Sequence, residues 1–131
     1  MSKVSFFKSI TEIVPFNNLN IITSLDRIKK GKSKEIVLQI RDLRIKENKE
    51  IVKDDIEGAK EIHNQRDKLK KKLPYTTFNG TFNSRSKNQL IKGSGFAILD
   101  FDKIPILDNA EKILIKDKYT YSYWISPAVT V

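Results

Sequence analysis

Hydrophobic positions fall into two textures along this chain, and the change comes at Pro74. Before it, apolar residues recur every three or four positions. Ile21, Ile22, Leu25 and Ile28 make one stripe, and Ile36, Val37, Ile40 and Leu43 a second. That spacing predicts amphipathic helices with one face on a core. Asn20 and Ser33 stand where helix caps belong, and Gly31 where the first helix should stop. Residues 44–55 are densely charged, with only Ile45, Ile51 and Val52 apolar, and read as frayed helix or loop. Ile56, Ala59, Ile62, Leu69 and Leu73 resume the helical period. Pro74 ends it, because proline brings no N–H to the ladder.

Beyond Pro74 the residues are β-branched and aromatic. Tyr75 to Phe82 predicts a strand, followed by a polar connection from Asn83 to Asn88. Gly95 to Asp102 predicts a second, buried strand. Asp108 or Asn109 opens a helix carrying Ala110, Ile113 and Leu114, and Tyr119 to Ile125 predicts a last strand. At the front, Val4, Phe6 and Phe7 predict a strand, with a loop through Pro15 and Asn17-Asn18. The class is α+β, in one domain spanning 1–131. A helical block covers about 20–73, and the sheet draws on 1–10 and 74–131.

Charge narrows the partners. The chain has 131 residues and a formal net charge of +9. Such a balance favours a polyanion, nucleic acid before an anionic surface or an acidic protein. There is no cysteine, which excludes disulfides and thiolate metal sites. A single histidine, His63, excludes His-rich metal sites and reads as a surface residue within its helix. No apolar run is long enough to span a bilayer. The first residues lack the apolar stretch of a secretory signal, so a cytoplasmic protein with no membrane partner is expected.

The sharpest chemical feature is the pair Asp100 and Asp102, at the end of Gly95-Phe96-Ala97-Ile98-Leu99-Asp100-Phe101-Asp102. On a strand, residues two apart share a face. Two carboxylates converging there repel unless a cation lies between them, and hard oxygen donors suit Mg²⁺ or Mn²⁺. The plainer account is a solvated strand end before Pro105. Gly80, inside a strand pattern, marks a bulge or the close approach of a ligand backbone, and its plainer reading is a hairpin bend. Arg85 has the fork to hold a phosphate, and Ser94 stands before the acidic strand. Lys70, Lys71 and Lys72 either track phosphates or complement the negative end of a helix dipole. Tyr119, Tyr121 and Tyr123 share a strand face, and packing is the preferred reading over base stacking.

Taken together, several of these segments resemble one family. They are Leu25 to Lys34, Leu73-Pro74, Phe78-Asn79-Gly80-Thr81-Phe82 with Arg85, Ser94-Gly95 leading into Leu99 to Asp102, and Tyr123 to Pro127. The family is the VirE N-terminal-type domain at the front of bacterial, mobile-element and phage primase–helicase proteins, which is similar to the primase-polymerases of the archaeo-eukaryotic primase superfamily. The resemblance implies an RRM-like, mostly antiparallel sheet. It implies that Asp100 and Asp102 hold the divalent metals that bind an incoming nucleotide, and that Arg85 contacts nucleotide or template. A DNA partner and a replicative helicase are expected on the same ground, in the cytoplasm of a bacterial or phage-infected cell.

One departure bears on activity. Where the family continues into a Ser-Gly-x-Gly-Leu-Lys-like stretch and a later acidic motif, this chain reads Ala128-Val129-Thr130-Val131. The expectation is an incomplete nucleotidyltransferase module, with the edge of the Tyr119–Ile125 strand open for self-association. Two alternatives stand beside it. One is a non-catalytic basic nucleic-acid-binding protein. The other is a small phage or mobile-element protein that binds a replication partner.

Overall fold

The computed structural model describes residues 2–125. The expected ending at Ser126-Pro127 and the Ala128–Val131 departure lie outside the described residues.

Strand β1 (Lys3–Phe7) is the centre of the architecture. Its Val4, Ser5 and Phe7 are all fully buried, so both of its faces are covered. It pairs antiparallel with β2 (Asn17–Asn20) on one side and β3 (Tyr75–Thr77) on the other. The resulting sheet has the order β2-β1-β3. β2 is a strand that the polar run Asn17-Asn18-Leu19-Asn20 does not advertise. It forms because β1 offers its edge, and Ser5 donates from its hydroxyl to the Asn18 side-chain oxygen at 2.8 Å.

Helix α1 (Ile21–Lys29) follows β2 without a connecting residue. Asn20 occupies its N-cap position, though its side chain makes no capping bond. Ile21 packs with Val4 and Phe78 as the centre of the core, joined by the half-buried Leu25 and Phe96. Burial of side chains this size contributes about 1.5–3 kcal/mol each. Gly31, at φ 64°, turns the chain as its position implied.

Helix α2 runs from Lys34 to Val52, so the charged stretch is helical almost to its end. A turn through Asp54 leads to α3 (Ile56–Lys70). Asp55 caps α3, accepting from the Gly58 N–H at 3.0 Å. The two helices pack chiefly on each other as an antiparallel hairpin, around Ile40 and Ala59. The charged stretch is tied to that hairpin by a buried ion pair that periodicity cannot reveal. Arg66 Nε donates to Glu47 Oε2 at 3.0 Å, and Arg66 Nη2 lies 3.0 Å from the same oxygen.

The predicted strand from Tyr75 to Phe82 divides at Phe78-Asn79. β3 joins the first sheet, while β4 (Gly80–Phe82) pairs antiparallel with β5 (Leu90–Gly93) in a second. The Ser5 hydroxyl links the two sheets by accepting from the Phe82 N–H at 2.9 Å. Helix α4 (Leu107–Lys116) forms close to its expected start, with Ile106 rather than Asp108 or Asn109 at the cap position. Helices and antiparallel sheets occupy separate stretches, and the class is α+β. No helix among the described residues is long and apolar enough to cross a membrane.

Two expected strands are absent. Residues 94–106 carry no strand, and neither does Tyr119–Ile125. The physical reason lies in β5. Leu90–Gly93 takes the place beside β4, and Gly95, at φ 83°, turns the chain away immediately afterwards. An extended segment with no neighbour leaves its backbone groups to water and forms no ladder. The buried acidic strand is therefore an exposed segment, with Leu99 75% and Phe101 58% accessible. The aromatic segment docks through rings instead of a ladder. Trp124 lies 5.4 Å from Phe78, and Tyr121 lies 4.9 Å from Phe96, centroid to centroid. Packing is thus the role of Tyr121, whereas Tyr119 stands in solvent.

Candidate functional site

Asp100 and Asp102 lie on the exposed segment between Gly95 and Pro105. Both are exposed, and no salt bridge among the described residues engages either one. Lys103, the next residue, is held at φ 55°, a left-handed conformation that redirects the chain just after the pair. The segment is anchored upstream by Ser94. Its buried hydroxyl donates to the Phe78 carbonyl at 2.5 Å and accepts from the Phe96 N–H at 3.2 Å. Its backbone N–H donates to the Asn79 carbonyl at 2.9 Å.

Ser94 is therefore a buried bracket between the β3–β4 turn and the acidic segment, not an open ligand contact. Gly80 resolves similarly. A Cβ there would lie 2.3 Å from the Lys92 carbonyl oxygen, so the close approach is that of β5's own backbone. The register shift sits one residue later, between Thr81 and Phe82.

Arg85 joins the loop after β4 to the loop between β1 and β2. Its backbone N–H donates to the Ile13 carbonyl at 2.7 Å, and its Nη1 donates to the Ile10 carbonyl. The guanidinium stands 6.0 Å from the centroid of the Tyr75 ring. Tyr75 stacks on Phe7 at 4.3 Å and donates from its hydroxyl to the Glu12 carbonyl at 2.8 Å. Burial raises the Tyr75 phenol above 10.0, against the lowering pull of the Arg85 guanidinium. One guanidinium nitrogen is thus committed to loop anchorage, while the Arg85 side chain remains on the surface.

Lys70, Lys71 and Lys72 form the exposed C-terminal end of α3, where cations complement the helix dipole. The Lys71 carbonyl accepts from the Ile10 N–H at 3.4 Å, tying that end to the β1–β2 loop. The lysines lie on the helical arm, whereas Asp100 and Asp102 follow the second sheet. No salt bridge among the described residues joins the two groups.

His63 is a surface histidine, as expected, but it has partners. Arg66 Nη2 lies 2.8 Å from its Nδ1, and Asp67 Oδ2 lies 3.3 Å from its Nε2. Glu47 Oε1 lies 3.1 Å from the same Nδ1, so the ring sits against both members of the Glu47–Arg66 pair.

A second group was not visible in the sequence. Phe6, Lys8, Phe16, Arg27, Lys32 and Ser33 line a cleft of about 490 Å³ beside the first sheet. They come from β1, the loop before β2, α1 and the α1–α2 turn. Only Phe6 on β1, with Lys8 two residues on and just past the strand end, hints at a shared face.

A family model described as BT4734-like, N-terminal domain, matches residues 68–130, just under half of the chain. The matched stretch runs from the end of α3 through the second sheet and the acidic segment to α4 and beyond. No curated protein and no solved structure gives a significant match.

Proposed function

We propose that this chain is a primase-polymerase-like module of DNA replication that binds nucleic acid and nucleotides, with Asp100 and Asp102 taking Mg²⁺ or Mn²⁺. The observation that carries the reading is the state of the acidic pair. Both carboxylates stand in solvent with no salt-bridge partner among the described residues, in a protein of net charge +9. A chain rich in lysine that leaves two near-adjacent aspartates unpaired keeps them available for another cation.

The donor set fits a magnesium-type ion. Mg²⁺ is commonly held by one or two carboxylates with phosphate oxygens and water completing the shell. No group of three acidic, imidazole or thiol ligands gathers among the described residues. Two carboxylates are a binding set. Nucleotidyl transfer needs a phosphate-holding group beside them as well.

The test is calorimetric titration of Mn²⁺ with and without a deoxynucleoside triphosphate, on the wild type and on Asp100→Asn/Asp102→Asn. The expected result is nucleotide-enhanced Mn²⁺ binding that disappears in the double variant. Equal binding by both proteins refutes the metal assignment. The reading as a non-catalytic nucleic-acid binder is favoured by a different observation, the cationic cleft beside the first sheet, and does not require the aspartates.

A further inference from the structure

Three cations line the cleft beside the first sheet, and no carboxylate does. Lys8, Arg27 and Lys32 make no salt bridge among the described residues. Asp26, adjacent in sequence to Arg27, is taken by Lys30 at 2.8 Å. Gathering like charges around one depression costs free energy unless an anion enters it. Two of the cations rest on rings instead. Lys8 Nζ stands 3.9 Å from the Phe16 centroid, and Arg27 Cζ stands 4.7 Å from that of Phe6.

Phe16 is the second observation. The residue is 58% accessible, although its backbone is fixed by an N–H bond to the Phe6 carbonyl at 2.8 Å. A largely exposed aromatic residue at the lip of a cationic depression, with only the Lys8 ammonium over its ring, forgoes the stabilisation of burial. The combination is what a polyanion with flat apolar faces requires. Phosphates need the cations, and a base needs the ring.

The rest of the lining is consistent with this. Gly31, at φ 64°, fixes the turn that presents Lys32. Ser33 follows at the start of the 19-residue α2, and its hydroxyl makes no capping bond. That adds a free hydroxyl and the positive end of a helix dipole to the cationic side.

We infer that this cleft is a binding site for single-stranded nucleic acid, with Lys8, Arg27 and Lys32 on the phosphates and a base stacked on Phe16. The inference rests on the nucleic-acid part of the proposed function but not on Asp100 and Asp102. The site lies outside the stretch matched by the family model, apart from Pro74 at its edge. A single strand is preferred to a duplex because stacking on Phe16 requires an unstacked base.

The test is fluorescence anisotropy with a fluorescein-labelled oligothymidylate over a range of salt. Four proteins are compared: wild type, Phe16→Ala, Lys8→Ala/Arg27→Ala/Lys32→Ala, and the control Lys60→Ala/Lys112→Ala/Lys116→Ala. The control removes the same charge from exposed positions outside the cleft. Phe16→Ala should bind on the order of tenfold more weakly, the loss of one stacked base. The cleft triple variant should flatten the slope of log affinity against log salt by about 2, while the control changes it less. Melting curves confirm that each variant folds.

Wild-type binding that the two cleft variants lose no more than the control overturns the cleft and spares the nucleic-acid reading. No binding by the wild type at low salt overturns both. A duplex bound as tightly as the single strand also overturns the site, as does competition by phosphatidylserine vesicles that depends on the same residues.

Discussion

Replacing Glu47 with alanine tests what holds the helical arm together. Glu47 is 6% accessible and Arg66 5%. The Glu47 carboxylate receives two guanidinium nitrogens of Arg66 at 3.0 Å, and Arg44 Nη1 lies 3.4 Å away. Without it, the buried guanidinium keeps only the His63 nitrogen at 2.8 Å, and Arg44 loses its carboxylate as well. Breaking a buried pair by removing one partner costs about 3–5 kcal/mol. Here the lower end applies, because the His63 side chain is 47% accessible and lets water approach the orphaned charge. About 3 kcal/mol corresponds to a Tm lower by about 12 °C in a domain of this size. The decisive comparison is Glu47→Leu/Arg66→Leu. Removing both charges removes the desolvation cost with the attraction, so the double variant should lie within about 1 kcal/mol of the wild type or above it. Urea and thermal unfolding followed by circular dichroism measure both. A loss under about 1 kcal/mol in Glu47→Ala would refute the argument. So would a double variant as unstable as the single one, since it would show that packing and not charge burial sets the cost.

Two further outcomes follow from the strands. Gly80→Ala places a methyl group 2.3 Å from the Lys92 carbonyl oxygen and 2.9 Å from Leu90 Cδ1, so β4 and β5 must separate. It should cost about 1–3 kcal/mol, whereas Gly93→Ala, with its nearest atom 3.9 Å away, should be close to neutral in the same urea series. Tyr75 carries a phenol raised by burial, so the folded state holds that proton more tightly than the unfolded state. Its contribution is complete below the unfolded value near 10 and is lost as pH rises through the folded value. Stability measured above pH ~10 should therefore fall with pH in the wild type and fall less steeply in Tyr75→Phe. Equal slopes would assign the loss to other groups.

The helical half of this chain was legible because its signals are local. The apolar stripe from Ile21 to Ile28, Gly31 as a stop and Pro74 as a break each act within a turn or two of themselves. α2 was underestimated for the opposite reason. Its polar half from Arg44 to Val52 is helical because Glu47 meets Arg66 on a facing helix, and a partner 19 positions away leaves no trace in a window of one segment. Strands carry this limitation throughout, since a strand exists only with a neighbour. Asn17-Asn18-Leu19-Asn20 has little β character and forms β2 because β1 lies alongside. Gly95 to Asp102 has strong β character and forms none, because Leu90–Gly93 already occupies the edge of β4 and Gly95 turns away.

The same distinction governs the two candidate sites. The acidic pair was readable because both of its members lie within three residues of each other. The structure moves it from the end of a buried strand to an exposed segment, which changes what positions it. Strand alternation no longer aligns Asp100 with Asp102; the segment that carries them is anchored upstream by Ser94 and turns at the left-handed Lys103 downstream. The basic cleft was unreadable because Lys8, Arg27 and Lys32 are scattered over three elements and meet only when α1 folds back along β1. A charge of +9 foretold a polyanion but not an address. The address comes from where carboxylates are missing. Among the described residues, most of the charge pairs lie along α2 and α3, between residues three or four apart or across the hairpin. Of the cations beside the first sheet, Lys8 and Arg27 have rings for company instead, and that is the arrangement a single strand can exploit.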